Sequence, residues 1–364
     1  MKKHGGYNRE MSSSVFHPGI FSALGAAALF GISTPLAKLL VGIVSPVMLA
    51  GLLYLGSGTG LLVWYLWRRL RANRATQEAA LTRRDVPWLA GAVLSGGVLG
   101  PALLMLGLTH TTASSASLLL NLEGVFTAVL AWFVFKENFD RRIALGMLFI
   151  VAGGVILSWP DKTGGSTTLW AFTIVGACFA WAVDNNLTRR ISAGDPVQIA
   201  GIKGMVAGIV NTAIALAWGD ALPDIAILAA AGVLGALGYG VSLVLFVLAL
   251  RHLGSARTGA YFSTAPFIGV ALSLMLLRET PGLLFWAAAA LMAMGVWLHL
   301  TERHEHEHAH GLLEHGHRHT HDVHHQHTHD FSWNNAEPHT HSHIHAPLAH
   351  SHPHYPDIHH RHRH

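Results

Sequence analysis

Residues 103–137 read LLMLGLTHTTASSASLLLNLEGVFTAVLAWFVFKE, and residues 245–279 read LFVLALRHLGSARTGAYFSTAPFIGVALSLMLLRE. Shifted by 142 residues, the two align without a gap and match at Leu103/Leu245, Leu106/Leu248, Leu108/Leu250, His110/His252, Leu130/Leu272 and Glu137/Glu279. Leucine matches are cheap in apolar sequence. A histidine at one end and a basic residue followed by glutamate at the other are harder to obtain by chance. A second echo, SPVMLAGL at 45–52 against DPVQIAGI at 195–202, lies at a slightly larger offset. The chain therefore repeats itself, and the quoted stretches are corresponding parts of two halves.

Each half is a series of apolar runs. Of 364 residues 51% are hydrophobic and 12% charged, against about 25% charged in an ordinary soluble domain. A membrane helix needs ~20 mostly apolar residues, and ten segments meet that need: 19–41, 46–67, 88–109, 111–135, 143–159, 169–188, 196–218, 225–249, 258–277 and 282–300. The first run is longer than the ~7–15 residue core of a signal peptide, so it reads as a retained span. The expected fold is an all-α membrane protein of ten transmembrane helices. It divides into a polar segment 1–18, a first five-helix repeat 19–159, a second 160–300 and a tail 301–364. Five is odd, so the repeats run in opposite directions through the bilayer. That inverted plan is the one secondary transporters use, with a site near the midplane between the halves.

The net charge is +4 and the isoelectric point near 9.4, but the positive residues are spread over short loops rather than gathered in a patch, which argues against nucleic acid as a partner. With the N-terminus inside, the inner segments carry sixteen Lys and Arg, among them Arg68, Arg69, Arg71, Arg83, Arg84, Arg141, Arg142, Arg189, Arg190 and Arg251, and the outer loops hold only Lys162 and Arg278. Positive residues stay on the cytoplasmic side, so both termini are expected in the cytoplasm of a multi-pass protein of the cell (inner) membrane. The single cysteine, Cys178, excludes a disulfide within the chain and any metal site built from cysteines. No nucleophile motif, phosphate-cradling glycine loop or dinucleotide fingerprint occurs in a matching context. The reading is therefore not an enzyme, requires no cofactor, and does not draw energy from bound ATP.

Polar residues inside apolar spans are costly and tend to be functional. Glu123 lies midway along the fourth span and must be protonated, paired or facing a wet cavity, which suits a group that takes up and releases a proton during transport. Asp184 stands as its partner in proton coupling, or alternatively pairs with Arg189 at the interface. Asn121, Asn185 and Asn186 offer amides to a substrate headgroup. Lys203, about two turns into the seventh span, either snorkels toward the cytosol or neutralises Asp184, and a cavity lysine favours anionic or zwitterionic substrates. Trp181, Tyr239 and Tyr261, with Trp132, are candidates to line a cavity for an amphipathic molecule. Lys38 reads as a snorkelling anchor, and His110, His252, Glu137 and Glu279 as capping or interfacial groups. The small-residue runs GSGTG (56–60), GMVAG (204–208) and GVLGALGYG (232–240) permit close helix contact.

The five-plus-five arrangement, SASLLLNLEGVFTAVLAWFVFKENF at 115–139, its partner with Ala265-Pro266-Phe267 and Arg278-Glu279, and ACFAWAVDNNLTRRIS at 177–192 together resemble the EamA branch of the drug/metabolite transporter superfamily. The resemblance covers about residues 19–300. It implies ten helices, a central cavity and proton-driven or exchange export of small metabolites. Two departures stand out. Gly124 occupies the place where the family usually has a proline, equivalent to Pro266, and Leu53 replaces an arginine often found early in the second helix, while Lys203 holds the repeat-equivalent place.

The tail is of another kind. Of 28 His in the chain, 23 lie between His304 and His364, alternating with other residues in HEHEHAH (304–310), HGHRHTH (315–321) and HTHSHIH (339–345). Neutral imidazole suits zinc, nickel, cobalt and copper better than magnesium or calcium. The candidate ligands are His304, His306, His308, His310, His315, His317, His319, His321, His324, His325, His327 and His329. A segment so poor in large apolar residues is expected to be disordered until metal binds. Three functions follow: an exporter of a small metabolite with a metal-binding regulatory tail, an efflux transporter whose cargo is nickel, cobalt or zinc, or a membrane-anchored metal buffer or sensor without transport. The reading leaves room for a homodimer.

Overall fold

The computed structural model describes residues 18–71, 81–134, 141–159, 166–192, 194–301, 305–310, 313–319, 339–345 and 348–353. The chain forms two compact units, one helical and one, Arg303–Tyr355, made of short strands.

The helical unit contains α1 (Pro18–Val41), α2 (Pro46–Arg71), α3 (Val86–Ala92), α4 (Gly100–His110), α5 (Ala113–Leu119), α6 (Leu122–Phe133), α7 (Arg141–Ser158), α8 (Ser166–Ile191), α9 (Pro196–Ala217), α10 (Ile225–Gly235), α11 (Ser242–Phe262), α12 (Ala265–Leu276) and α13 (Leu283–Leu300). Two π-helical segments, Val93–Leu99 and Ala236–Val241, link α3 to α4 and α10 to α11. Among the described residues eight stretches are long and apolar enough to cross a membrane. The remaining two rods are α7, which is shorter, and α8, which spends part of its length on Asp184-Asn185-Asn186. Phe21, Val63, Leu148, Met275 and Leu283 are exposed on the outside of the bundle, an apolar surface that water would penalise and lipid accepts.

The irregularities of the two halves match. The π-helical segments begin 143 residues apart, at Val93 and Ala236, and the turns at Leu120–Asn121 and Ser263–Thr264 that separate α5 from α6 and α11 from α12 lie 143 apart as well. The fourth and ninth expected spans are thus each broken near the middle. Where a loop over 250–257 is expected, helical backbone runs on to Phe262, since RHLGSART contains no proline to stop it.

α2 and α9 pack antiparallel at backbone contact. A methyl at Gly58 would lie 2.3 Å from the Met205 nitrogen, one at Gly51 2.6 Å from the Thr212 nitrogen, and one at Gly208 2.5 Å from the Leu55 nitrogen, so only glycine permits this approach. Both ends of the pair are clipped by repeat-equivalent residues. At one end Ser45 donates to Asp220, and at the other Arg68 pairs with Asp195. The Asp195 carboxylate also accepts from the Val197 N–H at 2.9 Å, capping α9.

Most of the tail lies outside the described residues. Four of its segments form strands: β1 (Glu305–His310), β2 (Leu313–His319), β3 (His339–His345) and β4 (Leu348–Pro353). β1 pairs antiparallel with β4, and β2 with β3. The physical reason is that alternation with period two is the strand period, and ladder hydrogen bonds need no apolar core. Such two-stranded pairs are marginal in water. The side chains of all twelve candidate histidine ligands lie outside the described residues.

Candidate functional site

Two connected cavities share Phe30, Glu123, Asn185, Phe246 and Phe262. The larger encloses about 1030 Å³ counted to its mouth, and Leu120, Thr127, Ala131, Trp132, Ile143, Leu250, Pro266 and His299 add to its wall. The smaller, about 470 Å³, is lined by Tyr54, Trp181, Asp184, Lys203, Tyr239 and Ser242. One lobe is mostly apolar, the other carries charge, and Glu123 stands at the junction. Trp132, Ile143, Asn186 and His299 lie near the helix ends that carry or adjoin Arg141, Arg142, Arg189 and Arg190, so the larger lobe faces the basic end of the bundle.

The break at Leu120–Asn121 starts a new helix just before Glu123, placing the carboxylate in the first turn of α6. Asn185 donates to Glu123 Oε1 at 2.8 Å and to Thr127 Oγ1 at 3.3 Å. Asn186, one residue on, turns to the Thr127 and Ala182 carbonyls at 3.2 and 2.9 Å. α8 is thereby tied to α6 by two adjacent amides.

The second charged group is an ion pair. Lys203 Nζ lies 2.5 and 2.6 Å from the two Asp184 oxygens and 3.3 Å from Thr188 Oγ1, which itself donates to Asp184 at 2.8 Å. Lys203 is 1% exposed and Asp184 5%. Of the two readings of Lys203, snorkelling fails and neutralisation of Asp184 holds. Asp184 fits only because Gly96 faces it, since a methyl there would sit 1.9 Å from Oδ2.

Gly96 and Gly97 also supply carbonyls. Pro101 has no N–H, which removes the four-residue partner of the Gly97 carbonyl and the five-residue partner of Gly96. Side chains take their place: Tyr54 Oη and Trp181 Nε1 donate to the Gly96 carbonyl at 2.8 and 2.9 Å, and Asn211 Nδ2 to Gly97 at 3.2 Å. The π-helical segment is thus a polar seam facing α2, α8 and α9. Phe30 is the hub of the rings above it, with centroids 5.7 Å from Trp181, 5.8 Å from Tyr239 and 5.5 Å from Phe262. Among the described residues the buried Tyr239 hydroxyl has no well-formed hydrogen bond, Ser33 being its polar neighbour.

The structure brings together Glu123, Asp184, Asn185, Asn186, Lys203, Trp181 and Tyr239. Asn121 and Tyr261, expected in the cavity, stand outside its lining. Asn121 donates to the Leu118 carbonyl at 3.1 Å and lies against Met292. It is two residues, about 200° of helix, from Glu123. Tyr261 packs on Ala23, Ala249 and Leu253, while its neighbour Phe262 takes the cavity face. Lys38 does not act as a snorkelling anchor: it donates to the carbonyls of Leu108 and of Thr111, the latter at 2.9 Å. Gly124 lines the cavity, and a methyl there would meet Ser263 Oγ at 3.3 Å. Sequence reasoning passed over Phe30, Tyr54, Thr127, Asn211, Phe246, Phe262 and His299. Asn211, an amide in mid-span, carried a signal; the rings did not, because aromatic residues are common on lipid-facing surfaces as well.

The EamA-like transporter family matches residues 17–159 and again residues 168–301. The chain is similar to an uncharacterized transporter of Methanothermobacter thermautotrophicus, 29% identical over 77% of this chain and 85% of that one. It is also similar to the uncharacterized transporter YyaM of Bacillus subtilis, 24% identical over 69% and 83%. A shorter likeness, 40% identical over 25% of this chain and 74% of the other, is to the probable 4-amino-4-deoxy-L-arabinose-phosphoundecaprenol flippase subunit ArnE of Pseudomonas paraeruginosa. One crystal structure shares the fold with a TM-score of 0.59 at 15% identity, over 77% of this chain and 94% of that one.

Proposed function

The chain belongs to the EamA-like transporter family, and from that premise we propose that it is a secondary exporter, proton-coupled or exchanging, of a small zwitterionic metabolite with an apolar body. Both termini lie in the cytoplasm, as the bias of sixteen basic residues against two indicates, and the cavity is then open to the inside. The observation that carries this reading is the continuity of the two lobes through Glu123. A carboxylate, an Asp184–Lys203 pair able to open toward a substrate's ammonium and carboxylate, and the Tyr239 hydroxyl surround the charged lobe. The apolar lobe beside it receives the rest of the molecule. Glu123 alternates between a proton and the substrate, and Asn185 positions it.

The tail binds zinc, nickel, cobalt or copper and regulates the transporter. Its support is the density of imidazoles at alternate positions and the preference of neutral imidazole for these ions. Among the described residues no three His, Cys, Asp or Glu side chains gather to share one ion, which is why metal is assigned to the tail and not to the pathway.

The test is tolerance of cells lacking their own exporters to toxic zwitterionic analogues and to nickel, cobalt, zinc and copper. Three proteins are compared: full-length, one ending at Thr301, and Glu123→Gln. We expect analogue tolerance from the first two and none from the third, with metal changing only the extent of transport by the full-length chain. Metal tolerance that needs both Glu123 and the tail would make metal the cargo. Metal tolerance that survives Glu123→Gln and vanishes without the tail would make the protein a buffer.

A further inference from the structure

At the end of the bundle opposite the basic loops the helices are held together by charged contacts, which form a seal between α1, α4, α5 and the segment after α12. The turn between α4 and α5 is gripped from both sides. Lys38 of α1 donates to the carbonyls of Leu108 and Thr111 at the end of α4, and the Glu279 carboxylate accepts from the Ala113 N–H at 2.9 Å and the Ser114 N–H at 3.0 Å at the start of α5. Cation on terminal carbonyls and anion on initial amides is the arrangement that helix dipoles favour. The grip also crosses the repeats, since Glu279 follows α12 in the second half and α5 belongs to the first. Beneath it α5, α12 and α1 meet at Gly269, where a methyl would come within 2.6 Å of Ser117 Oγ and 3.0 Å of the Gly31 carbonyl.

Three features make this seal releasable. α5 is seven residues long and joined to α6 through the turn at Leu120–Asn121, where the backbone bonds tighten to three-residue spacing, so it can shift with little distortion of the helix that bears Glu123. α12 starts at the equivalent turn, Ser263–Thr264. The interface is also incompletely satisfied: among the described residues Thr111 Oγ1 and Ser117 Oγ are buried there without a hydrogen-bond partner, as befits a contact that is remade. By contrast, the α2·α9 pair is locked along its length by glycine contacts and clipped at both ends.

We propose that Glu279 on the first amides of α5, with Lys38 on the last carbonyls of α4, is the latch that holds the far end of the cavity shut, and that each transport cycle must release it. This rests on the exporter reading above, in which a cavity open to the inside must open in turn to the other side. It can be read without a substrate, so its failure is distinct from failure of that reading.

The chain supplies its own reporter. Cys178, its single cysteine, is buried in α8 with Sγ 3.5 Å from the Leu119 carbonyl at the end of α5, so an α5 that shifts away from α8 as a whole uncovers it. The experiment measures the rate at which N-ethylmaleimide modifies Cys178 in the full-length protein in liposomes. Glu279→Gln, which keeps the shape and removes the charge, should raise the rate about tenfold, the ratio expected when one charge-assisted contact is lost. Lys38→Met should act in the same direction by a smaller factor. A second reporter, Leu53→Cys in a Cys178→Ser background, sits in α2 away from the latch, where Leu53 is wholly buried, and should keep its slow rate when Glu279→Gln is added. An unchanged Cys178 rate in Glu279→Gln overturns the proposal. So does a parallel rise at Leu53→Cys, which would mean that Glu279 merely holds the fold together.

Discussion

The α2·α9 seam and the Glu123 cavity are assembled from the same two repeats in opposite ways. In the seam, backbone meets backbone at Gly51, Gly58, Gly204 and Gly208. Around the cavity the walls are rings and amides, and one of its glycines has room to spare: Gly259 has no atom within 4 Å of where a methyl would go. Lipid tails are as apolar as leucine, so hydrophobicity cannot say which part of a bundle is fixed. Closeness of approach can. The seam is the frame, and the cavity flank, hung on short or broken helices, is the part free to rearrange.

Four changes would break or sharpen that contrast. The largest effect is expected at the ion pair that bridges the two regions. Lys203→Ala strands Asp184 in the interior and should cost ~3–5 kcal/mol, whereas Lys203→Met combined with Asp184→Asn should recover most of it. Thermal unfolding in detergent reads both, and equal losses would show that the pair is not a coupled unit. Next is Gly58→Val in the seam, expected to cost ~1–3 kcal/mol by overlap with α9, while Gly259→Ala at the cavity should cost nothing measurable. If the two glycines respond alike, the division into frame and flank is wrong.

Third, Asn185→Ala should remove ~1 kcal/mol with its hydrogen bond to Glu123. Glu123→Gln keeps an acceptor for Asn185 and should leave stability within that margin while abolishing transport, so a stability loss that tracks activity would make Glu123 a structural group. The smallest effect belongs to Arg68→Ala at the clip. Arg68 is 36% exposed, and a pair so accessible contributes ~0–1 kcal/mol. Its loss should leave the melting curve of the seam nearly unmoved.

Much of the architecture was legible in the chain. The offset of 142 between His110 and His252 lies one residue from the 143 that separates the irregular segments of the two halves, and the apolar runs located most of the helices, though not the run of α11 through 250–257. The polar cluster was partly legible too, because a carboxylate such as Glu123 or Asp184 in a lipid-length span announces itself. Its neighbours were not. Tyr54 beside Leu53, and Phe262 beside Tyr261, differ only in which way they face. The strands of the tail were hidden for another reason: its composition argued for disorder, while its alternation, the feature taken as metal-binding, was also a strand period.

What the sequence by itself determined is whatever the bilayer demands of any chain: helices of ~20 apolar residues, basic loops on one side and a price on buried charge. Those demands act on segments one at a time. The tertiary structure alone decided helix phase and partnership: that Lys203 turns to Asp184, that Pro101 frees carbonyls for Tyr54, Trp181 and Asn211, and that Glu279 reaches α5 across the repeats. A helix that is apolar all round has no moment to orient it. Its rotation is set by which small residues let a neighbour come close and which polar groups must find each other, and both are facts about pairs of helices.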